Sequence, residues 1–301
     1  MAGIALYQLC ELLDELYPLS LAESWDEPGL IIGDVCGEVQ SILYAVDPTP
    51  AVIDEAIDGG FDVLITHHPL YFRAVHQVSG YSHRGDMVRK LTQAGCALWV
   101  GHTNIDSAYR GTAHAFADQL QLQHMRPLVS AGRTDDAGHE LGIGRVGELA
   151  QECSFQELVE RVARILPRTT LGITAAGDPQ AQVRTIATLP GSGDSCFDEV
   201  RDSGADVYIT SDLRHHPALD TRLQAEYEAQ LTRMGALPAK ERDMHAELAR
   251  PMLINTPHSA IERSAFTYVP DDVARLVEGR WGVRLRSVVS QIVTDPWNIR
   301  I

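Results

Sequence analysis

The chain has few cysteines and little positive charge, and both deficits exclude classes of protein. Its five cysteines are scattered among 301 residues and form no CxxC pair, so a sulfur-ligated zinc site is not expected. An odd, dispersed set of thiols fits a reducing cytosol better than a disulfide scaffold. The formal net charge of −16 argues against direct binding to nucleic acid or to an anionic membrane surface.

Long apolar runs are also missing. None approaches the length of about 20 residues that spans a bilayer, and the first residues lack the basic stretch, apolar core and cleavage site of a signal peptide. We therefore expect a cytoplasmic protein. With 45% hydrophobic and 22% charged residues, the composition is that of a globular protein with one large or two ordinary domains.

Short apolar runs alternate with amphipathic segments in the first part of the chain. We predict strands over 41–46, 62–66 and 97–100, and helices over 4–17, 50–59, 84–94 and 112–122. This alternation predicts an α/β fold with mixed, largely parallel sheets. In such sheets, binding sites form at the carboxyl ends of the strands.

A later segment repeats an earlier one. Gly60–Thr66 and Gly204–Thr210 share Gly, Asp, Val, Ile and Thr in the same register, and each follows an acidic pair. The repeat predicts two α/β lobes of related topology, the second beginning near residue 127. A highly charged stretch near 224–250 predicts a solvated helical excursion without chemistry of its own.

Two of the predicted strands are followed by residues of the types that commonly bind metals in proteins. His67 and His68 follow the strand over 62–66, and adjacent imidazoles repel once protonated, whereas a divalent cation would hold both as neutral donors. Asp106 follows the strand over 97–100, with His102 in reserve as a further ligand. These side chains are expected to converge at one edge of the sheet.

A third apolar run ends before His258 and Glu262, which are spaced i, i+4. On a helix this spacing points both side chains from one face, so that they can reach one cation. Imidazole and carboxylate ligands suit Zn, Fe, Mn, Ni or Co better than Ca or Mg. Five ligands exceed the need of one ion, so we predict two divalent transition-metal ions bridged by Asp106.

Other polar residues near predicted strand ends could contact a substrate. Asp47 could line the cleft, but before Pro48 it could equally be only a turn former. Ser192 lies in a Gly-rich segment whose amides could hold a phosphate, although a plain turn is as well supported. Asp212 and His216 belong to the second copy of the repeat, at the place where the first copy carries its metal ligands.

Several motifs together resemble the NIF-three-like family (YbgI/YqfO type, homologues of GTP cyclohydrolase I type 2). The similarity runs over nearly the whole chain. Its carriers are Trp25-Asp26-Glu27-Pro28-Gly29-Leu30, Thr66-His67-His68-Pro69-Leu70, His102-Thr103-Asn104-Ile105-Asp106, Gly191-Ser192-Gly193 and the segment 204–212.

The resemblance implies a fold, an assembly and a ligand set. It implies a metal-binding lobe of 1–126 plus 251–301, whose C-terminal segment returns to it, and a second lobe of 127–250. It also implies a toroidal homohexamer. The ligands of the dinuclear centre that it implies are His67, His68, Asp106, His258 and Glu262.

Two functions follow as hypotheses. The first is a metal-dependent hydrolase of a small nucleotide-like or phosphorylated substrate, in which Asp106 bridges the metals and His102 or His216 moves protons. By resemblance, GTP ring opening is one candidate reaction. The second is a non-enzymatic protein for metal storage, metal insertion or regulatory scaffolding, which would use the same ligands without a substrate.

Overall fold

The computed structural model describes residues 3–236 and 248–301. The strands are β1 (Ile4–Ala5), β2 (Gly29–Ile32), β3 (Glu38–Val39), β4 (Ser41–Ala45), β5 (Val63–Thr66), β6 (Ala97–Val100), β7 (Leu122–Arg126), β8 (Val129–Thr134), β9 (Glu140–Ile143), β10 (Arg145–Ser154), β11 (Thr174–Ala176), β12 (Gln182–Ser192), β13 (Val207–Ser211), β14 (Met252–Thr256) and β15 (Arg286–Val289). The helices are α1 (Leu6–Leu16), α2 (Pro50–Asp58), α3 (His83–Ala94), α4 (Thr103–Ser107), α5 (Thr112–Gln119), α6 (Phe155–Ile165), α7 (Phe197–Ser203), α8 (His215–Arg233), α9 (His258–Glu262) and α10 (Val269–Trp281). Within these residues, no helix combines the length and the apolar character that crossing a membrane requires.

The chain divides into two compact units, the first comprising Met1–Thr112 and Arg263–Thr294. Its main sheet has five strands in the order β15-β4-β5-β6-β2. The pairings among β15, β4, β5 and β6 are parallel, and β2 runs antiparallel to β6. Every residue of β4, β5 and β6 is buried, which explains their uninterrupted apolar sequences, because helices cover both faces of a parallel sheet.

Local sequence signals begin and end the helices of this unit. The side chain of Thr49 accepts a hydrogen bond from Val52 N, and Pro50 occupies the first turn of α2, where its missing N–H costs nothing. Gly95 ends α3 in a left-handed conformation with φ 69°. Apolar side chains of α2, α3 and the central strands pack into a shared core, which anchors the strands that lead to the candidate site.

The second unit comprises Ala113–Glu262 and Asp295–Ile301. Its six-stranded sheet has the order β11-β14-β13-β12-β10-β7, in which β12, β13 and β14 are parallel and the three other pairings are antiparallel. Between β7 and β10 the chain forms the β8–β9 hairpin instead of a crossover helix, and without a crossover the strands pair antiparallel. The predicted α/β fold class is confirmed, with parallel pairing prevailing in the first sheet only.

The boundaries of the units differ from the predicted lobes, 1–126 plus 251–301 and 127–250. The C-terminal stretch does return to the first unit, where β15 pairs with β4. Residues 251–262, however, belong to the second unit, because β14 pairs with β13. The first unit ends at Thr112 because α5 and β7 pack in the core of the second. The helix α8 forms the first part of the predicted charged excursion, and residues 237–247 lie outside the described residues.

The two units contain the same succession of elements, β4-α2-β5-α3-β6-α4 in the first and β12-α7-β13-α8-β14-α9 in the second. Two buried or half-buried aspartates, one in each copy of the sequence repeat, have the same contacts. Asp62 Oδ2 accepts hydrogen bonds from two consecutive backbone amides at the start of β4, both at 2.9 Å. Asp206 Oδ2 accepts from Arg184 N at 2.8 Å and Thr185 N at 2.9 Å, near the start of β12. The shared Asp of the repeat therefore joins neighbouring parallel strands.

We expect Asp206→Ala to destabilise the protein by roughly 2 kcal/mol, because both backbone amides lose a charged acceptor. Asp206 is 1% exposed, so water cannot easily replace its carboxylate. Urea unfolding of the variant and the wild type measures the difference, with Asp206→Asn as the control that keeps one acceptor oxygen. Equal stability of wild type and Asp206→Ala would contradict the role given to this contact.

Candidate metal centre

Two adjacent histidines lie directly after β5 in the first unit. His67 is fully buried and His68 is 9% exposed. Backbone hydrogen bonds continue past the end of β5, since His67 N donates to Ala45 O at 3.2 Å and His68 N to Val46 O at 2.9 Å. These bonds to the end of β4 and to the residue after it hold the backbone of the two histidines just beyond the regular pairing of the strands.

An oxygen atom holds the Nδ1 atom of each ring. His67 Nδ1 lies 2.9 Å from Gly101 O, and His68 Nδ1 lies 2.7 Å from Asp47 Oδ1. Asp47 is itself held by a hydrogen bond from the Thr294 hydroxyl. Because a carbonyl or a carboxylate only accepts, Nδ1 carries the proton, and the neutral ring has its lone pair on Nε2. Such contacts are what orient histidines that bind metals.

A third histidine, His102, is the N-cap residue of α4 and is 7% exposed. Its Nδ1 lies 3.0 Å from Asp26 Oδ2, which also accepts a hydrogen bond of 2.6 Å from the Thr103 hydroxyl. Burial raises the pKa of Asp26, but the hydrogen bonds from His102 and Thr103 outweigh burial and lower that pKa to about 2. Asp26 is therefore a carboxylate at neutral pH and orients His102.

These three imidazoles and Asp106 form the first ligand group. The ligand atoms of His67, His68 and His102 all lie within 4.8 Å of one another, and His67 Nε2 is 3.8 Å from Asp106 Oδ1. Two atoms bound to one ion by bonds of about 2.1 Å lie roughly 3.4 Å apart at a tetrahedral angle. The first ligand group could thus hold a metal ion after small side-chain adjustments.

The second ligand group consists of His258 and Glu262 on α9, in the second unit. His258 Nε2 lies 2.9 Å from Glu262 Oε1, and His258 Nδ1 lies 2.7 Å from Asp212 Oδ2. Asp212 has a φ of 55°, a left-handed conformation that is uncommon outside glycine and is often found at functional sites. The arrangement at His258 repeats the one at His68, where an aspartate likewise holds Nδ1.

Glu262 is 3% exposed, and a buried carboxylate is costly unless it is paired or binds a cation. The chain passes close to it at Gly191, where φ is 91° and an added Cβ would lie 2.8 Å from Glu262 Oε1. The segment predicted as a Gly-rich turn is in fact the end of β12, and Ser192 is exposed there. The glycine makes room for the carboxylate, an alternative to the predicted role of binding phosphate.

Four histidines share one feature: an oxygen atom lies within 3.0 Å of Nδ1, so that a metal ion would be bound through Nε2. They are His67, His68, His102 and His258. Imidazole nitrogen and carboxylate oxygen together fit Zn, Fe, Mn, Ni or Co, whereas Ca and Mg prefer oxygen alone. The donor set and its outer contacts therefore fit a transition-metal centre.

Three residues predicted to serve a substrate or a reaction have other surroundings. Asp47 and Asp212 each contact a ligand histidine, so both are placed to orient imidazoles. His216 is exposed in the first turn of α8, with its ring centroid 5.3 Å from that of His215. This exposed position adds no support to the predicted catalytic role of His216.

The contact between Asp26 and His102 was not predicted from the sequence. The two residues are 76 positions apart, so no local spacing connects them. The available signal was the motif Trp25-Asp26-Glu27-Pro28-Gly29-Leu30, in which a carboxylate follows a tryptophan in a turn. The contact depends on the fold, which brings this turn against the start of α4.

Proteins of known sequence provide an independent comparison. The family model of Duf34/NIF3 (NGG1p interacting factor 3) matches residues 4–229. A Streptomyces coelicolor protein named GTP cyclohydrolase 1 type 2 homolog is 40% identical over 291 residues, covering 96% of this chain and 92% of that protein. A Clostridium acetobutylicum protein of the same name is 33% identical over 212 residues, covering 70% of this chain and 77% of its own.

Solved structures agree at the level of the fold. A Bacillus cereus protein related to NIF3 has a TM-score of 0.81 at 21% identity, with 100% of both chains covered. A hypothetical protein of Staphylococcus aureus has a TM-score of 0.79 at 24% identity, covering 99% of this chain and 100% of its own. The match of the family model and the identity to the curated relatives establish that the chain belongs to the Duf34/NIF3 family.

Proposed function

We propose that this protein binds two metal ions and is a metal-dependent hydrolase of a small nucleotide-like or phosphorylated substrate. One observation carries the metal part of the proposal: His67, His68 and His258 each have Nδ1 held by an oxygen atom, the arrangement that presents Nε2 as a metal ligand. The name shared by the curated relatives, GTP cyclohydrolase 1 type 2 homolog, supports a nucleotide as the substrate.

In this proposal both ligand groups contribute to the metal centre. The residues that would hold the two divalent transition-metal ions are His67, His68, Asp106, His258 and Glu262, and Asp106 would be the carboxylate common to both. Such ions supply Lewis-acid chemistry and make a coordinated water more acidic. The mixture of nitrogen and oxygen donors favours Zn, Fe, Mn, Ni or Co.

The remaining residues orient the ligands and handle protons. Asp47 and Asp212 keep the rings of His68 and His258 in the tautomer that ligates through Nε2. Asp26 likewise keeps a proton on Nδ1 of His102, so that His102 can take up or release a proton at Nε2 during hydrolysis.

Elemental analysis of the purified protein, before and after dialysis against a mild chelator, tests the metal part of this proposal. We expect about two ions per chain in the wild type that survive dialysis, and fewer in His258→Ala. The matched control is His215→Ala, which removes an exposed imidazole at the start of α8. No bound metal in the wild type, even after metal is added back, would refute the metal centre.

Turnover decides between an enzyme and a metal carrier. The metal-loaded protein is incubated with nucleotides and phosphoesters, and Asp106→Ala is expected to abolish any product formed. Metal that leaves readily, with no turnover and with transfer to an apo acceptor, would favour the storage, insertion or scaffold function instead. The homohexamer implied by family membership is part of the proposal, and light scattering measures it on the same samples.

A further inference from the structure

Trp25 is exposed although the turn that carries it is firmly held. Its side chain is 60% exposed, whereas the side chain of the next residue, Asp26, is 3% exposed. Asp26 accepts a hydrogen bond of 3.0 Å from Glu27 N and one of 2.6 Å from the Thr103 hydroxyl. Thr103 Oγ1 in turn accepts from Glu23 N at 2.9 Å. A turn fastened to α4 therefore keeps a large aromatic ring in solvent.

A second exposed aromatic ring lies beside the same histidine. Phe72, in the segment between β5 and α3, is 54% exposed. Its ring centroid is 5.7 Å from that of His102 and 6.3 Å from that of His68. The ring of Trp25 is 5.8 Å from His102, and both aromatic planes are nearly perpendicular to the imidazole, at 78° and 81°. Trp25 and Phe72 are called the aromatic pair below.

Exposed aromatic rings beside buried polar groups are typical of ligand sites. Large apolar side chains are costly to leave in water, and their clustering on a surface marks a place where something binds. Small-molecule sites combine such rings with a few fixed polar groups that orient the ligand. The aromatic pair provides the first component, and the oriented imidazoles provide the second.

We propose that the aromatic pair stacks on a planar heteroaromatic ring of the substrate and presents that ring to the imidazoles of the first ligand group. This inference rests on the proposed function, because it names the substrate class of the same site. A planar ring can stack on the exposed side chains of Trp25 and Phe72, whereas a phosphorylated aliphatic compound has no ring to stack. The ring, and not a phosphate group, is then the part of the substrate nearest to the histidines.

Calorimetric titrations with two probes test this inference on the full-length protein. Guanosine supplies a planar ring without phosphate, and ribose 5-phosphate supplies a phosphate without a planar ring. We expect Trp25→Leu and Phe72→Leu to bind guanosine roughly tenfold more weakly than the wild type, since stacking is lost. Trp25→Phe keeps a ring and is expected to retain most of the affinity. The matched control is Trp297→Leu, which removes a tryptophan that is 59% exposed in the second unit.

Each result of the titrations either supports or overturns the stacking inference. Weaker guanosine binding in both leucine variants, with ribose 5-phosphate binding unchanged, supports the inference. Guanosine binding that equals the wild type in both leucine variants, or is undetectable in the wild type, overturns it. A change of oligomeric state in the leucine variants without a change in guanosine affinity also overturns it, since the aromatic pair would then be an interface between subunits.

Failure of the proposed function can be distinguished from failure of the stacking inference. The titrations are done on chelator-treated and on zinc-loaded protein, and the metal content of every sample is measured. If the wild type holds no metal, the hydrolase proposal fails, while the contrast between wild type and Trp25→Leu still decides whether the aromatic pair binds a planar ring. If metal is bound and that contrast is absent, only the stacking inference fails.

Discussion

Adding zinc to chelator-treated protein is expected to raise the midpoint of thermal unfolding by about 10 °C. A ligand that binds only the folded state stabilises it by roughly 4 kcal/mol when present at a thousandfold excess over its dissociation constant. The second unit, Ala113–Glu262 and Asp295–Ile301, has the size of a domain for which about 1 kcal/mol shifts the midpoint by roughly 2–4 °C. In the proposed metal centre, the physical source of the stabilisation is the neutralisation of buried candidate ligands such as Glu262, which is 3% exposed.

Variants of the candidate ligands test whether the shift in the unfolding midpoint comes from zinc bound at this site. In His68→Ala and Glu262→Gln, zinc should raise the midpoint by only a few degrees, because each variant removes one donor. The control is His76→Ala, which removes an exposed imidazole from the segment between β5 and α3 and should leave the shift intact. A shift of the same size in all four proteins would mean that zinc stabilises the chain somewhere else.

Gly191→Ala is expected to weaken metal binding by about tenfold to a hundredfold, the range seen when the surroundings of a ligand are disturbed. The added Cβ would lie 2.8 Å from Glu262 Oε1, closer than real Cβ atoms approach an oxygen, so the carboxylate has to move. The φ of 91° adds a conformational cost of roughly 1 kcal/mol for any residue with a side chain. Competition with a fluorescent zinc chelator measures the affinity.

Gly204→Ala separates the effect of the positive φ from the effect of the contact with Glu262. Gly204 also has a positive φ, 75°, but an added Cβ there meets nothing within 4 Å. This variant should lose a similar roughly 1 kcal/mol of stability and keep its metal affinity. If both alanine variants bind zinc as tightly as the wild type, the contact between Gly191 and Glu262 has no bearing on the metal.

The α/β class and the places of the candidate ligand residues at strand ends and on one helix face could be predicted from the sequence, because both depend on local patterns. An apolar run that stops at His67 indicates the end of a buried strand, and the four-residue spacing of His258 and Glu262 indicates a shared helix face. The structure has β5 and α9 at these places. The related succession of elements in the two units was likewise visible in the repeated segments around Asp62 and Asp206.

Contacts between distant parts of the chain could not be predicted in the same way. Residues 251–262 were assigned to the first lobe, yet β14 pairs with β13, because a largely buried strand of five residues carries no signal for the sheet that it joins. Asp212 was read as a possible substrate contact, although its left-handed backbone turns its carboxylate to His258. Neither the backbone angle nor the partner is encoded in short-range spacing.

The contacts that hold the histidines have a consequence for the order in which the site matures during folding. His67 and His68 are neighbours in the chain, and His258 and Glu262 are four residues apart, so each pair can meet with almost no loop to close. Their outer partners are remote: Asp47 is 21 residues from His68, and Asp212 is 46 residues from His258. Since closing a longer loop costs more entropy, the contacts that orient His68 and His258 depend on the β4–β5 and β13–β14 pairings, and we expect the candidate ligands of each pair to be close together before their rings are oriented.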